Sequence, residues 1–381
     1  MVDENYLFYS ADKILSIYDK LNNWAIKDLI ERLIANDFTV SGTILNRVNV
    51  LQESGMHLQE VQKQVALVTK KTDIELKRIF EEAGIIELTY IEEICRNAGK
   101  VPATLSQSPR LLNVLDTALK ATQGQLHNIT QTIAVSSQNT FISEVDKAYF
   151  KVASGYQSYN QAIKEAVTEV AKSGVKIKYP SGHEETPETA VRRAVQSGVN
   201  KGTNDLQIAQ AKEMGEDLLL TSQHLGARTG GEQAYEDHAE WQGKPFSISG
   251  NSTVYPSFYE STGYGKGGGL GGWGCRHHTT IFFEGISEIP EPLDSEKNKQ
   301  FEKERSVQRL KERRIRADKR ELQGLQAAID SSKDEKLKFE LQQQHDKVSK
   351  NLAKKNKDYR DYCKEKGLKT EYERLRVAES T

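Results

Sequence analysis

The stretch SGVKIKYPSG, Ser173 to Gly182, separates two kinds of sequence. Val175, Ile177 and Tyr179 alternate with lysines, the two-residue period of a half-buried strand, and Pro180-Ser181-Gly182 turns the chain. On its N-terminal side, from Thr140 to Ala171, apolar positions such as Phe141, Val145, Ala148, Val152, Ile163 and Val167 advance by three or four, which is a helical period. This pattern predicts one long helix, bent near Gly155, and a domain boundary near Lys172.

Working back toward the N-terminus, the helical reading persists. Ile14, Leu15, Tyr18, Leu21, Ala25, Leu29 and Leu33 form one apolar stripe. Thr72 and Glu75 stand at capping-box spacing ahead of Leu76, Ile79, Phe80 and Ala83, and Gly84 reads as a left-handed stop. Ser108-Pro109 opens a further helix, proline taking a first-turn position where its missing N–H is not needed.

Working forward, Thr186-Pro187 starts another helix, and DLLLTSQ has the shortness and apolarity of a buried strand. A loop region rich in histidine, serine and glycine follows, and the two prolines of SEIPEPLD mark a linker. Beyond it, Phe301, Leu310, Leu322, Leu325 and Ile329 make one stripe, and Leu337, Leu341, Val348, Leu352 and Tyr359 make another, with DSSKDE between them. Two antiparallel helices fit that layout. The expected fold class is therefore α+β: a mostly helical region at 1–172, a small mixed α+β domain at 173–290, and a basic helical hairpin at 291–381.

Composition sets the limits. The 381 residues leave room for two or three domains of about 100–200 residues each. Net charge is −1, yet Asp294 to Thr381 holds 25 lysines and arginines against 18 aspartates and glutamates, so the positive charge gathers at the C-terminal end. That end is the candidate for touching nucleic acid, with Lys311, Arg313, Arg314, Arg316, Lys319 and Arg320 as first contacts; a solvated helix face is the plainer alternative. Three scattered cysteines, Cys95, Cys275 and Cys363, do not make a disulfide framework. Asp3 and Glu4 stand where a secretory leader would carry positive charge, and no apolar run reaches the roughly 18 residues of a membrane span. The expectation is synthesis in the cytoplasm without export by that route, and no membrane segment.

Chemistry-bearing residues gather in the central region. His224, Arg228, His238, Trp241, Gln242, Gly243, Cys275, Arg276 and His277 form a cluster with three readings. Imidazole and thiolate are the ligands zinc prefers, which makes His238, Cys275 and His277 possible zinc ligands. Cys275 beside Arg276, His277 and His278 is a possible nucleophile, although no cysteine-hydrolase signature surrounds it. The third reading is structural: polar side chains fix the interior through hydrogen bonds, with Trp241 packed and Arg228 anchoring a carboxylate or carbonyls. The residues favour this one, with no metal and no cofactor. Glycine fills eight of the twelve positions from Gly263 to Gly274, but neither the spacing nor a following helix matches a phosphate-binding loop.

Five blocks in order, AVRRAVQSGVN (Ala190–Asn200), HLGAR (His224–Arg228), HAEWQGKPFS (His238–Ser247), GYG (Gly263–Gly265) and GLGGWGCRHH (Gly269–His278), resemble the phage minor capsid protein type 2 family. AGKVPATLSQSPRLLNVL, NITQTIA, YQSYNQAI, VKIKYPSG and GLKTEYERLRV extend the resemblance from about Tyr6 to Val377. Two features depart from the family pattern: TGGEQAYED adds residues before His238, and Trp273 stands where a small or polar residue is usual. Both belong to loops, where they change a surface more than a fold.

The resemblance implies a virion component present in few copies near the portal vertex, acting in head morphogenesis and related to the Mu-type head morphogenesis group, with no established enzymatic activity. It implies the portal protein, the major capsid protein or both as partners, and packaged double-stranded DNA is a further, non-specific candidate. A virion-borne zinc- or cysteine-dependent hydrolase centred on His238, Cys275 and His277 is the alternative. A scaffolding protein fits less well, because scaffolds tend to be helical throughout.

Overall fold

A computed structural model describes residues 1–35, 43–104, 107–179 and 181–377, with side chains from 52 onward in the second segment. The turn expected at Pro180 includes a residue outside this set. Helices α1 (Glu4–Ala35), α2 (Thr43–Asn97), α3 (Pro109–Ala153) and α4 (Tyr159–Ser173) make up the N-terminal part. Strands β1 (Ile177–Lys178) and β2 (Glu184–Glu185) form a small antiparallel pair. Then follow α5 (Pro187–Glu213), β3 (Leu218–Thr221), α6 (His238–Trp241), β4 (Pro245–Ser247), α7 (Phe258–Thr262) and β5 (Thr279–Ile281). Helices α8 (Ser295–Ser331) and α9 (Glu335–Lys366) come next, and a short 3-10 turn at Tyr372–Leu375 follows them. The expected class holds: a mostly helical protein with a small mixed α+β region.

The helix starts follow the local chemistry. Ser108 Oγ accepts the Leu111 N–H at 3.2 Å and Pro109 opens α3, so one orphan amide is capped and another is absent. Asp334 caps α9 by accepting from the Leu337 N–H at 2.8 Å. Three expected boundaries differ. Gly155, at φ +72°, breaks the chain between α3 and α4, so the bent helix is two helices, the second capped by Ser158. Thr72 starts nothing and Gly84 ends nothing, because α2 runs from Thr43 through both to Asn97. A Cβ at Gly84 would lie 2.7 Å from Leu115 Cδ1, so the missing side chain lets α3 approach α2 closely.

The chain divides into two compact units, each assembled from separated segments, and α1, α2, α3, α5 and α8 give residues to both. The first comprises 1–14, 73–126 and 192–306. In it β3 is the central strand of the order β4-β3-β5, antiparallel to both neighbours, with Leu219 opposite Phe246 and Ile281. Leu219, Phe246 and Ile281 pack with Ile91, Ile208, Trp241, Phe258 and Leu270 into one buried cluster. Burying each large side chain contributes roughly 1.5–3 kcal/mol, which offsets the ordering of three very short strands.

The second unit comprises 15–72, 127–191 and 307–381. The expected stripe of α1 is buried here at Leu15, Tyr18, Leu21, Ala25, Leu29 and Leu33. Pairings of Gln308 with Tyr359, Asp318 with Lys355 and Glu321 with Gln344 run in opposite directions along α8 and α9, so the two are antiparallel. Leu310, expected in the apolar stripe of α8, is exposed; Ile315, Leu325, Ala327 and Ala328 are buried apolar residues of that helix.

Candidate functional site

The site is built on the outer edge of β5. Residues 278, 280 and 282 turn their backbone groups to β3, which leaves the Thr279 and Ile281 N–H groups pointing away from the sheet. Helix α5 meets them with side chains. Asn204 Oδ1 accepts from the Thr279 N–H at 2.6 Å and its hydroxyl at 2.9 Å, and Gln207 Oε1 accepts from the Ile281 N–H at 3.2 Å. One turn earlier, Asn200 Nδ2 donates to the carbonyls of Cys275 at 3.1 Å and His277 at 3.0 Å. Three amides at i, i+4 and i+7 thus take the place of a neighbouring strand, which blunts an exposed edge and pins the 275–281 segment.

That segment delivers Cys275 and His277 to a common interior, 3% and 1% exposed. His277 Nδ1 lies 3.6 Å from Cys275 Sγ, and Nε2 lies 3.2 Å from Gln242 Oε1. The same Gln242 oxygen accepts from the His224 backbone N–H at 3.0 Å. His224 stacks on His277 with ring centroids 4.2 Å apart, while Trp241 and His238 close from the edge at 4.7 and 5.3 Å. His238 donates through Nε2 to the Gly268 carbonyl at 2.8 Å, and Trp241 Nε1 donates to the Tyr235 carbonyl at 2.9 Å.

The remaining signature residues hold the rim. Arg228 spans two carbonyls, with Nη1 on Gly268 at 3.1 Å and Nη2 on Trp273 at 2.9 Å. Arg276 pairs with Glu4, and Arg305 lies 3.8 Å from the same carboxylate. Burial opposes ionisation of Glu4, but the positive groups around it, Arg276 foremost and Arg305 with it, together keep the carboxyl below its usual range. Gly243 turns at φ +69°, donating its N–H to the Thr221 carbonyl at 3.1 Å. In the glycine-rich loop, a Cβ at Gly269 or Gly272 would stand 2.2 Å from a backbone carbonyl, so the loop packs against itself.

Burial pushes the imidazoles of His224 and His238 down to about 4 and that of His277 well below 6.5. At neutral pH all three are therefore uncharged, the form in which a histidine offers a lone pair. Burial likewise pushes the Cys275 thiol up, the opposite of what an activated thiolate nucleophile needs. His238, Cys275 and His277 each place one ligand-type atom within 4.8 Å of the other two.

A family model described as phage minor capsid protein 2 matches residues 2–362. The chain belongs to that family. It is accordingly a structural protein of the phage head. No curated protein and no solved structure matches it. No helix among the described residues is long and apolar enough to cross a membrane.

The six basic residues singled out on α8 of this minor capsid protein fall into two groups. Arg316 and Arg320 pair with Glu188 at 2.5 and 3.3 Å, and Lys319 donates to the Leu375 carbonyl at 2.7 Å. Arg313 and Arg314 are exposed, and half-buried Lys311 lies over the Tyr362 ring at 5.3 Å. Sequence reasoning on the minor capsid protein missed Asn200, Asn204 and Gln207 as site residues; their i, i+4, i+7 spacing within α5 was the available signal. It also missed His57, which bonds Asp28 through Nδ1 at 2.5 Å and Ser137 through Nε2. This copies the residue types of a hydrolytic triad, but His57 and Ser137 are both 0% exposed within helices, so they tie helices together.

Proposed function

We propose that this minor capsid protein sits in few copies inside the head at the portal vertex, where its helical segments dock on the portal protein, the major capsid protein or both during head morphogenesis. The observation that carries the reading is the family match over residues 2–362. The central polar cluster supports it as a rigid fixture: Gln242, Arg228 and the α5 amides spend their hydrogen bonds on backbone groups. Residues 1–172, 173–290 and 291–381 then serve as docking arm, fixture and basic hairpin. Co-expression with the portal protein of the same phage, followed by native mass measurement, tests the docking. A complex of defined stoichiometry is expected, and two proteins that stay separate sink it.

Contact with packaged DNA, non-specific and through phosphates, falls to Lys311, Arg313 and Arg314, because Arg316, Lys319 and Arg320 are engaged within the protein. Charge removal at Arg313 and Arg314 together should weaken duplex binding and flatten its dependence on salt. Binding that ignores added salt refutes the contact.

A further inference from the structure

We propose that His238, Cys275 and His277 form a structural metal site of the zinc type, which fastens the glycine-rich segment and α6 to the edge of β5. His238 comes from α6 and Cys275 and His277 from the single segment leading into β5, and each presents one ligand-type atom within 4.8 Å of the others. The Cys275 Sγ to His277 Nδ1 separation, 3.6 Å, equals the edge of a tetrahedron with Zn–S about 2.3 Å and Zn–N about 2.0–2.1 Å.

The surroundings supply what a metal-bound histidine requires. A ligating imidazole hands its other N–H to a fixed acceptor, which sets the tautomer and holds the ring. Gln242 Oε1 already accepts from the His224 backbone, which can only donate, so it also accepts from His277 Nε2–H; the lone pair of His277 is thereby on Nδ1, facing Cys275 Sγ. The Gly268 carbonyl takes the His238 Nε2 proton and is itself held by Arg228. Binding would replace the Cys275 thiol proton, released to solvent, by a metal–sulfur bond. Three protein ligands leave the fourth tetrahedral position to a water molecule, and with His277 1% exposed the ion would act first as a fastening.

The test is elemental analysis of the full chain after zinc-supplemented expression, together with titration of the metal-free protein with cobalt(II). About one zinc per chain and a thiolate-to-cobalt charge-transfer band are expected, with both lost in Cys275→Ser and His238→Ala and retained in His224→Ala. Gln242→Ala, which keeps all three ligands, should weaken binding about 10–100-fold. Since the ligand variants can fail to fold, circular dichroism accompanies each, and the wild-type chain is also melted with and without chelator. A folded wild-type chain with no zinc, no cobalt band and a chelator-independent melt overturns the site and leaves a purely hydrogen-bonded cluster.

Discussion

The central cluster of the first unit and the α8–α9 pair of the second solve the burial of polar groups in opposite ways. In the first, neutral side chains do the work: imidazoles, amides and a thiol meet backbone donors and carbonyls around Gln242 and along α5. In the second, formal charges are paired. Glu312, 0% exposed, takes Arg309 at 3.0 Å and Arg374 at 2.7 Å and accepts from the Tyr359 hydroxyl at 3.2 Å, while Glu188 takes Arg316 and Arg320. Neutral partners fix the course of a backbone through short directional bonds, and losing one strands a single dipole. Paired charges hold helices together, and losing one strands a charge.

That difference predicts unequal mutational costs. Glu312→Ala leaves Arg309 and Arg374 without their carboxylate and should cost about 3–5 kcal/mol in urea unfolding, with faster amide exchange in α8 and α9. A loss under about 1 kcal/mol would put the pair among weak surface bridges and erase the contrast.

Acid sharpens the same point. Burial raises the Glu312 carboxyl, but Arg309 and Arg374 outweigh it and hold it below its ordinary 4.5. Its folded value is thus depressed, so its contribution is complete above pH 4.5 and fades as pH falls through the folded value. Glu312→Gln should make the melting temperature less steep in pH below 4.5, and an unchanged slope would remove Glu312 from acid unfolding.

Asn204→Ala comes next. It strands the buried Thr279 N–H and hydroxyl, at about 1–3 kcal/mol for an unsatisfied donor, and exchange should quicken in β5. Protection of β5 equal to wild type would mean that α5 does not serve as the sheet's missing neighbour. Smallest is Gly124→Ala within α3, where an added Cβ meets nothing within 4 Å; a gain of up to about 1 kcal/mol is expected in thermal melts.

Much of the fold was legible because its signals are local. Ser108-Pro109, Thr186-Pro187 and the alternation at Val175, Ile177 and Tyr179 act within a few residues, and helix starts and a strand lie there. Gly84 misled because a glycine that stops a helix and one that admits a neighbouring helix are the same letter; only Leu115, 31 positions on, tells them apart. Gly155 failed in the opposite sense, since the period continues across it while the backbone, at φ +72°, does not. In the site, the histidines, Cys275 and Arg228 were visible by residue type, whereas the α5 amides read as ordinary helix surface.

By itself the sequence determined the helical and strand periods, the helix starts at Pro109 and Pro187, the charge surplus at the C-terminal end, and an ordered set of blocks sufficient to name the family. Only the tertiary structure decided which basic residues of α8 are spent on Glu188 and the Leu375 carbonyl, and that three amides of α5 stand in for a strand beside β5. The physical reason is range. Periodicity fixes which residues share a face, but the partner of that face, 75 positions away for Asn200 and Cys275, is chosen by how the faces pack.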